Sequence, residues 1–155
     1  MIALQGNVSC GPGYRDWSCP PAKVDERVEA AFRALGDQSE LRDLILIGYS
    51  SGGTFAELLV MLNPERYTRA ILIANPRRPA FYRLKSLRGA VLMAGERDRH
   101  DLMKAGDRDL KNRGIPSTFM VLPGAAHGEM GNDAERVMAK ALQWLKQNDR
   151  PAANP

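Results

Sequence analysis

The stretch Leu44-Ile-Leu-Ile-Gly-Tyr-Ser50-Ser-Gly-Gly-Thr-Phe-Ala-Glu-Leu-Leu59 constrains this chain more than any other. A continuous apolar run of strand length meets a Gly/Ser turn, and a stripe with helical spacing (Phe55, Leu58, Leu59, Leu62) follows at once. A strand apolar on both faces that feeds directly into a helix belongs in a parallel sheet covered by helices. The turn itself reads Gly48-x-Ser50-x-Gly52. Small flanking residues let the backbone turn tightly enough to lift one hydroxyl to the carboxyl edge of the sheet. The helix starting there points N–H groups and its positive dipole end at negative charge developing beside that hydroxyl. Ser50 is therefore the candidate nucleophile. Ser51 lacks glycine at both flanking positions, but its amide is a candidate oxyanion donor. A Gly/Ser-rich strand–helix turn with no chemistry is the alternative reading.

The same alternation runs through the rest of the chain. Further apolar runs lie at Ala70–Ile73, Ala90–Ala94 and Phe119–Leu122, with a weaker one at Ile2–Leu4. Between them fall helical stripes: Val24, Val28, Ala31, Phe32 and Leu35, closed by Gly36; then Leu102, Met103, Gly106 and Leu110. A last amphipathic stripe holds Ala134, Val137, Met138, Ala141, Leu142 and Leu145. Strands alternating with helices predict an α/β fold, a single-domain three-layer sandwich on a mostly parallel sheet of about five strands. The domain is expected to span residues 1–147, with a polar, Pro-containing tail at 148–155 that frays.

A serine hydroxyl needs a base, and the base needs a third group to fix its tautomer. On a parallel sheet the loops after successive strands leave the same edge, so later strand–helix loops can supply the base and the acid. After Ala90–Ala94 comes Gly95-Glu-Arg-Asp98, and after Phe119–Leu122 comes Pro123-Gly-Ala-Ala-His127-Gly. His127 is the candidate base and Asp98 the candidate acid. Of the rivals, Glu96 is too close to its strand, Asp101 reads as the N-cap of the next helix, and His100, the only other histidine, reads as a surface residue.

Composition narrows the remaining classes. No apolar run approaches the roughly 20 residues of a membrane span, and the first residues lack the pattern of a signal peptide. The net charge of +4 is spread over helices carrying both signs. The densest basic stretch (Arg77, Arg78, Arg83, Lys85, Arg88) has no phosphate loop or nucleic-acid motif beside it, so no nucleic-acid partner is expected. Cys10 and Cys19 could form a loop-closing disulfide in an oxidising compartment or remain cytosolic thiols. No Cys/His cluster has metal-ligand spacing, so neither metal nor cofactor is expected.

The Gly48–Gly53 turn, the Gly95–Asp98 acid loop and the Pro123–Gly128 base loop resemble the α/β-hydrolase superfamily over residues 40–147. The likeness is greatest to its compact carboxylesterase, phospholipase and dienelactone-hydrolase-like members. It implies a minimal fold without a cap and hydrolysis of small acyl esters through an acyl-enzyme, with Ser50, His127 and Asp98 as the triad. The N-terminal part departs from that pattern, because a single helical stripe precedes the Ser50 strand. A strand at Ile2–Leu4 laid beside that strand would bring Gly6 and Asn7 toward Ser50, as further oxyanion candidates or as a simple turn. An incomplete set of edge strands leaves two other readings, a homodimer through an open edge or a weakened binding module or fragment.

Overall fold

The computed structural model of the chain describes residues 1–36 and 40–149. Its centre is a four-stranded parallel sheet, ordered β3 (Leu44–Tyr49), β4 (Tyr67–Ile73), β5 (Gly89–Gly95), β6 (Ser117–Leu122). Each strand is followed by a helix: α2 (Ser51–Leu62), the single turn α3 (Phe81–Leu84), α4 (Asp101–Asn112) and α5 (Ala134–Gln147). Ahead of the sheet lie a hairpin, β1 (Val8–Gly11) with β2 (Tyr14–Asp16), and helix α1 (Pro21–Ala34). Parallel pairing needs such crossovers, and every apolar run but the first became a sheet strand.

The order of the strands decides how deeply each is buried. Every residue of β5 is buried, and so is β4 except Arg69. By contrast β3 and β6 are edges: Ile47 and Val121 are among the exposed large apolar residues. The apolar runs alone predicted full burial for all four; edge position overrides that expectation because among the described residues no neighbouring strand covers the far side. Two apolar clusters fill the faces. One gathers Val24, Val28, Leu59, Leu72, Leu92, Met103 and Leu110 under α1, α2 and α4. The other gathers Ile71, Ile73, Val91, Met93, Val137 and Leu145 under α5. Each fully buried Leu or Ile contributes about 1.5–3 kcal/mol relative to an exposed position.

The expected fifth strand needs correction. The sheet has four strands among the described residues, and Ile2–Leu4 is not one of them and pairs with no strand. Its neighbourhood is fixed otherwise, because Arg27 donates to the Gln5 carbonyl at 2.9 Å. A Cβ on Gly6 would also sit 2.5 Å from the Asp16 carbonyl oxygen. The Gly/Pro-rich segment carrying Cys10 holds a hairpin, turned at Pro12-Gly13 with Gly13 at φ +74°. Both cysteines are free thiols, Cys10 exposed and Cys19 half-buried. Of the tail, Asp149 is tied to the base of the sheet, accepting from Arg69 at 2.8 Å and from Arg88 Nε at 2.9 Å. Residues 150–155 of that tail lie outside the described residues.

The basic stretch is largely paired within the fold. Arg88 bonds Asp149 and Asp43, Arg78 meets Asp109, and Arg83 lies 3.7 Å from Glu57. Among the described residues no helix is long and apolar enough to cross a membrane.

Candidate active site

The turn after β3 is strained where its chemistry requires it. Ser50 sits at φ +51°, ψ −121°, a left-handed conformation that a non-glycine residue holds only when its surroundings impose it. Here the Ser50 N–H donates to the Ile73 carbonyl at 2.8 Å, and Gly53 N–H donates back to the Ser50 carbonyl at 3.0 Å. The glycines divide differently from the G-x-S-x-G pattern. A Cβ at Gly48 would lie 2.6 Å from the Gly52 oxygen, and one at Gly53 would lie 1.9 Å from Asn75 Oδ1. A Cβ at Gly52 would meet only Trp17 Nε1, at 3.6 Å. Sterically, Gly48 and Gly53 are the required pair.

Three loops leaving the same sheet edge bring Ser50, His127 and Asp98 together. Ser50 Oγ lies 3.2 Å from His127 Nε2, and His127 Nδ1 lies 2.8 Å from Asp98 Oδ2. An ionised carboxylate can only accept, so Asp98 fixes the proton on Nδ1 and leaves Nε2 as acceptor for the Ser50 hydroxyl. Asp98 is itself held, its Oδ1 accepting from the Arg99 N–H at 2.7 Å. The exposures differ: the Asp98 side chain is 12% accessible, the His127 imidazole 52%.

The rival acids are engaged elsewhere. Glu96 accepts from Gly124 N–H at 2.7 Å and so ties the acid loop to the base loop. Asp101 pairs with Arg99 and is the first residue of α4, not its N-cap; His100 holds the cap position. Nor is His100 a plain surface residue. Its Nε2 bonds the Gly95 carbonyl at 2.6 Å, and its ring is tilted against Phe119 at 5.5 Å.

As first residue of α2, Ser51 has an N–H with no partner inside the helix, available beside Ser50. The two N-terminal candidates part company. Gly6 lines a cavity of about 680 Å³ that also reaches Ser51 and Gly52, whereas Asn7 is bonded to Ser18 through both side-chain atoms at 3.0 Å. That cavity runs along the open edge of β3 beneath Met1–Gly6, with Val24, Phe32, Phe55 and Leu59 on its walls. Trp17, stacked on Phe55 at 5.3 Å, lines it too.

Sequence reasoning missed a polar cluster behind the turn. Glu57 on α2 is 3% accessible, with its carboxylate accepting from Asn75 Nδ2 at 2.9 Å and from Ala80 N–H at 3.1 Å. Burial pushes its carboxyl above the usual range, opposed by the Ala80 hydrogen bond, Arg83 and Asn75. The signal was available: Glu57 is the single charged residue in a largely apolar helix. Among the described residues, no three metal-ligating side chains are grouped as a metal would need.

No protein-family model matches the chain, and no curated protein does. Solved structures match its fold. SOBER1 from Arabidopsis thaliana is 17% identical over 88% of this chain and 68% of its own, at a TM-score of 0.57. Esterase PE8 is 19% identical over 77% of this chain and 57% of its own, at 0.60. FphF, a fluorophosphonate-binding serine hydrolase of Staphylococcus aureus, is 12% identical over 80% and 63%, at 0.58. The chain thus spans about two thirds or less of the length of these neighbours.

Proposed function

On what is an α/β-hydrolase fold, capless over the described residues, we propose that this chain is a serine hydrolase acting on small acyl esters. One observation carries the reading: the unbroken relay from Ser50 Oγ through His127 to Asp98, at 3.2 and 2.8 Å, beginning at a serine held with positive φ. In it His127 Nε2 takes the Ser50 proton as Oγ attacks the acyl carbon. Asp98 holds the imidazole and stabilises it once charged. The Ser51 amide donates to the tetrahedral oxyanion. When the intermediate collapses, His127 returns the proton to the leaving alcohol. Water then gives its proton to the same nitrogen as it attacks the acyl carbon, and when the acyl–Oγ bond breaks, His127 returns that proton to Ser50 Oγ and the acid leaves.

The edge position of β3 and the partial span of the neighbours favour a second reading, a weakened or inactive hydrolase-like module. A fluorophosphonate probe with mass mapping separates the two. Labelling at Ser50 that is absent from Ser50→Ala is the expected result. A folded wild type that stays unlabelled would overturn the hydrolase reading in favour of the module.

A further inference from the structure

The base loop carries three glycines with positive φ, Gly124, Gly128 and Gly131, so its backbone is intrinsically free. Its first half is tied to the acid loop: Gly124 N–H donates to Glu96, Arg97 donates to the Gly124 carbonyl at 2.8 Å, and Arg97 N–H donates to the Ala125 carbonyl at 2.9 Å. Past His127, Arg97 also donates to Glu129 at 2.9 Å and Glu129 accepts from the Ala126 N–H at 3.0 Å, so all of these ties run to the acid loop or within the base loop, and none runs to the strand that carries Ser50. The half-exposed imidazole of His127 has Asp98 on one nitrogen, and the backbone just after it is held by Tyr49. Gly128 N–H donates to Tyr49 Oη at 2.5 Å, and the Tyr49 ring lies 5.7 Å from the imidazole, tilted by 47°. Tyr49 is the last residue of β3 and the residue immediately before Ser50. Its ring packs against the cluster containing Ile71 and Ile73.

We propose that Tyr49 is a positioning residue that sets the base loop in register with the nucleophile, its hydroxyl fixing the Gly128 amide and its ring backing the imidazole. This rests on the hydrolase reading of the same site. The physical point is that Asp98 fixes how the imidazole is rotated but not how far it stands from Ser50. A loop hinged at Gly124 and Gly128 can carry His127 and its hydrogen bond to Asp98 through small displacements together. The Tyr49 bond opposes that motion, because it anchors the loop to a rigid strand end one residue from Ser50 Oγ. Displacements of about 1 Å can cost 100-fold in rate when they separate reacting groups.

Tyr49→Phe keeps the ring and removes the hydroxyl. The bond at stake is an ordinary one, worth a factor of roughly 3 to 10 when lost. On a short p-nitrophenyl ester, kcat should fall by about that factor with KM unchanged and with the Tm within a degree or two of wild type. A purely structural tyrosine would lower Tm and leave kcat at low temperature alone; kcat within twofold of wild type would overturn the proposal. Amide exchange at Gly128 and the His127 ring resonances, read by NMR on both proteins, need no turnover. Faster Gly128 exchange with broadened His127 signals in Tyr49→Phe supports the strap even if wild-type Ser50 resists the probe. Unchanged exchange refutes it, whatever the probe does.

Discussion

Gly53 and Gly52 are adjacent in sequence and both lie in the first turn of α2, yet the structure predicts that alanine destabilises at Gly53 and does not at Gly52. At Gly53 the new Cβ would fall 1.9 Å from Asn75 Oδ1 and 2.7 Å from its Cγ. Asn75 is 4% accessible and cannot retreat without giving up its bond to Glu57, a carboxylate buried to 3%. Overpacking costs about 1–3 kcal/mol, and a lost hydrogen bond to a buried charged group about 1.5–3 kcal/mol. Better helix propensity returns at most about 1 kcal/mol. The net is a loss of roughly 2–4 kcal/mol, or roughly 5–15 °C in Tm for a domain of this size. At Gly52 the nearest atom is Trp17 Nε1 at 3.6 Å, an ordinary contact, so Gly52→Ala should be neutral or stabilising. Urea titration at constant m reads both. In an Asn75→Ala background the cost of Gly53→Ala should shrink, since the clash and the coupled bond are already gone. Equal midpoints for the two single variants would refute the steric reasoning outright.

The site and the base of the sheet set three further outcomes. Asp98→Asn should leave Tm near wild type but lower kcat by about 10⁴-fold, because an amide no longer fixes the proton on His127 Nδ1; a drop below tenfold would move the acid role elsewhere. With Ser51 as the one oxyanion donor that the turn itself supplies, kcat on activated esters should lie near 0.01–0.1 s⁻¹, about 100- to 1,000-fold under an ordinary enzyme, and a stopped-flow or plate assay giving about 10 s⁻¹ would point to a second working donor. Burial works to raise the Asp149 carboxyl, but hydrogen bonds and charge from Arg69 and Arg88 outweigh it and hold it below the usual range. Its stabilising contribution is therefore complete above the unfolded value near about 4 and fades as pH falls through the lower folded value. The stability gap between wild type and Asp149→Asn should be widest near neutral pH and close below about pH 4; a gap independent of pH would refute the pairing.

The sheet was legible because its signal is redundant. Four apolar runs, three of the helical stripes between or after them and one tight turn all demand the same parallel, helix-covered arrangement, and each was found within a few residues of its observed place. In β4 the overrun is made of residues with polar tertiary partners. Tyr67 and Thr68 extend β4 beyond its apolar run because Tyr67 Oη bonds Asp25 at 2.5 Å and Thr68 bonds Asp43 at 3.2 Å. Gly52 was read as the second required glycine and Gly53 was not, since the difference lies in where Asn75 sits, at the end of another strand. The positions of Glu96, Asp101 and His100 were likewise undecidable from spacing, because each is settled by a partner that only folding supplies.

The N-terminal part was illegible for a different reason. A helix can satisfy its backbone alone, but an extended segment becomes a strand only by pairing, so an apolar triplet such as Ile2–Leu4 carries half of the information needed. Its competing contacts are to α1 and the hairpin, through Arg27 on Gln5 and Gly6 against Asp16, and they hold it across a cavity from β3. The consequence falls on the site unevenly. Ser50, Asp98 and His127 all follow strands locked into one ladder, with Ser50 N–H itself bonded to Ile73 of the neighbouring strand. The cavity beside the turn, which reaches Ser51 and Gly52, has no such ladder behind it, since Met1–Gly6 on its far wall joins no sheet strand. Proton transfer and oxyanion stabilisation are therefore built to different rigidity here. A gain in rate should come from a second donor brought beside the Ser51 amide, on the side where Met1–Gly6 stands across the cavity from β3.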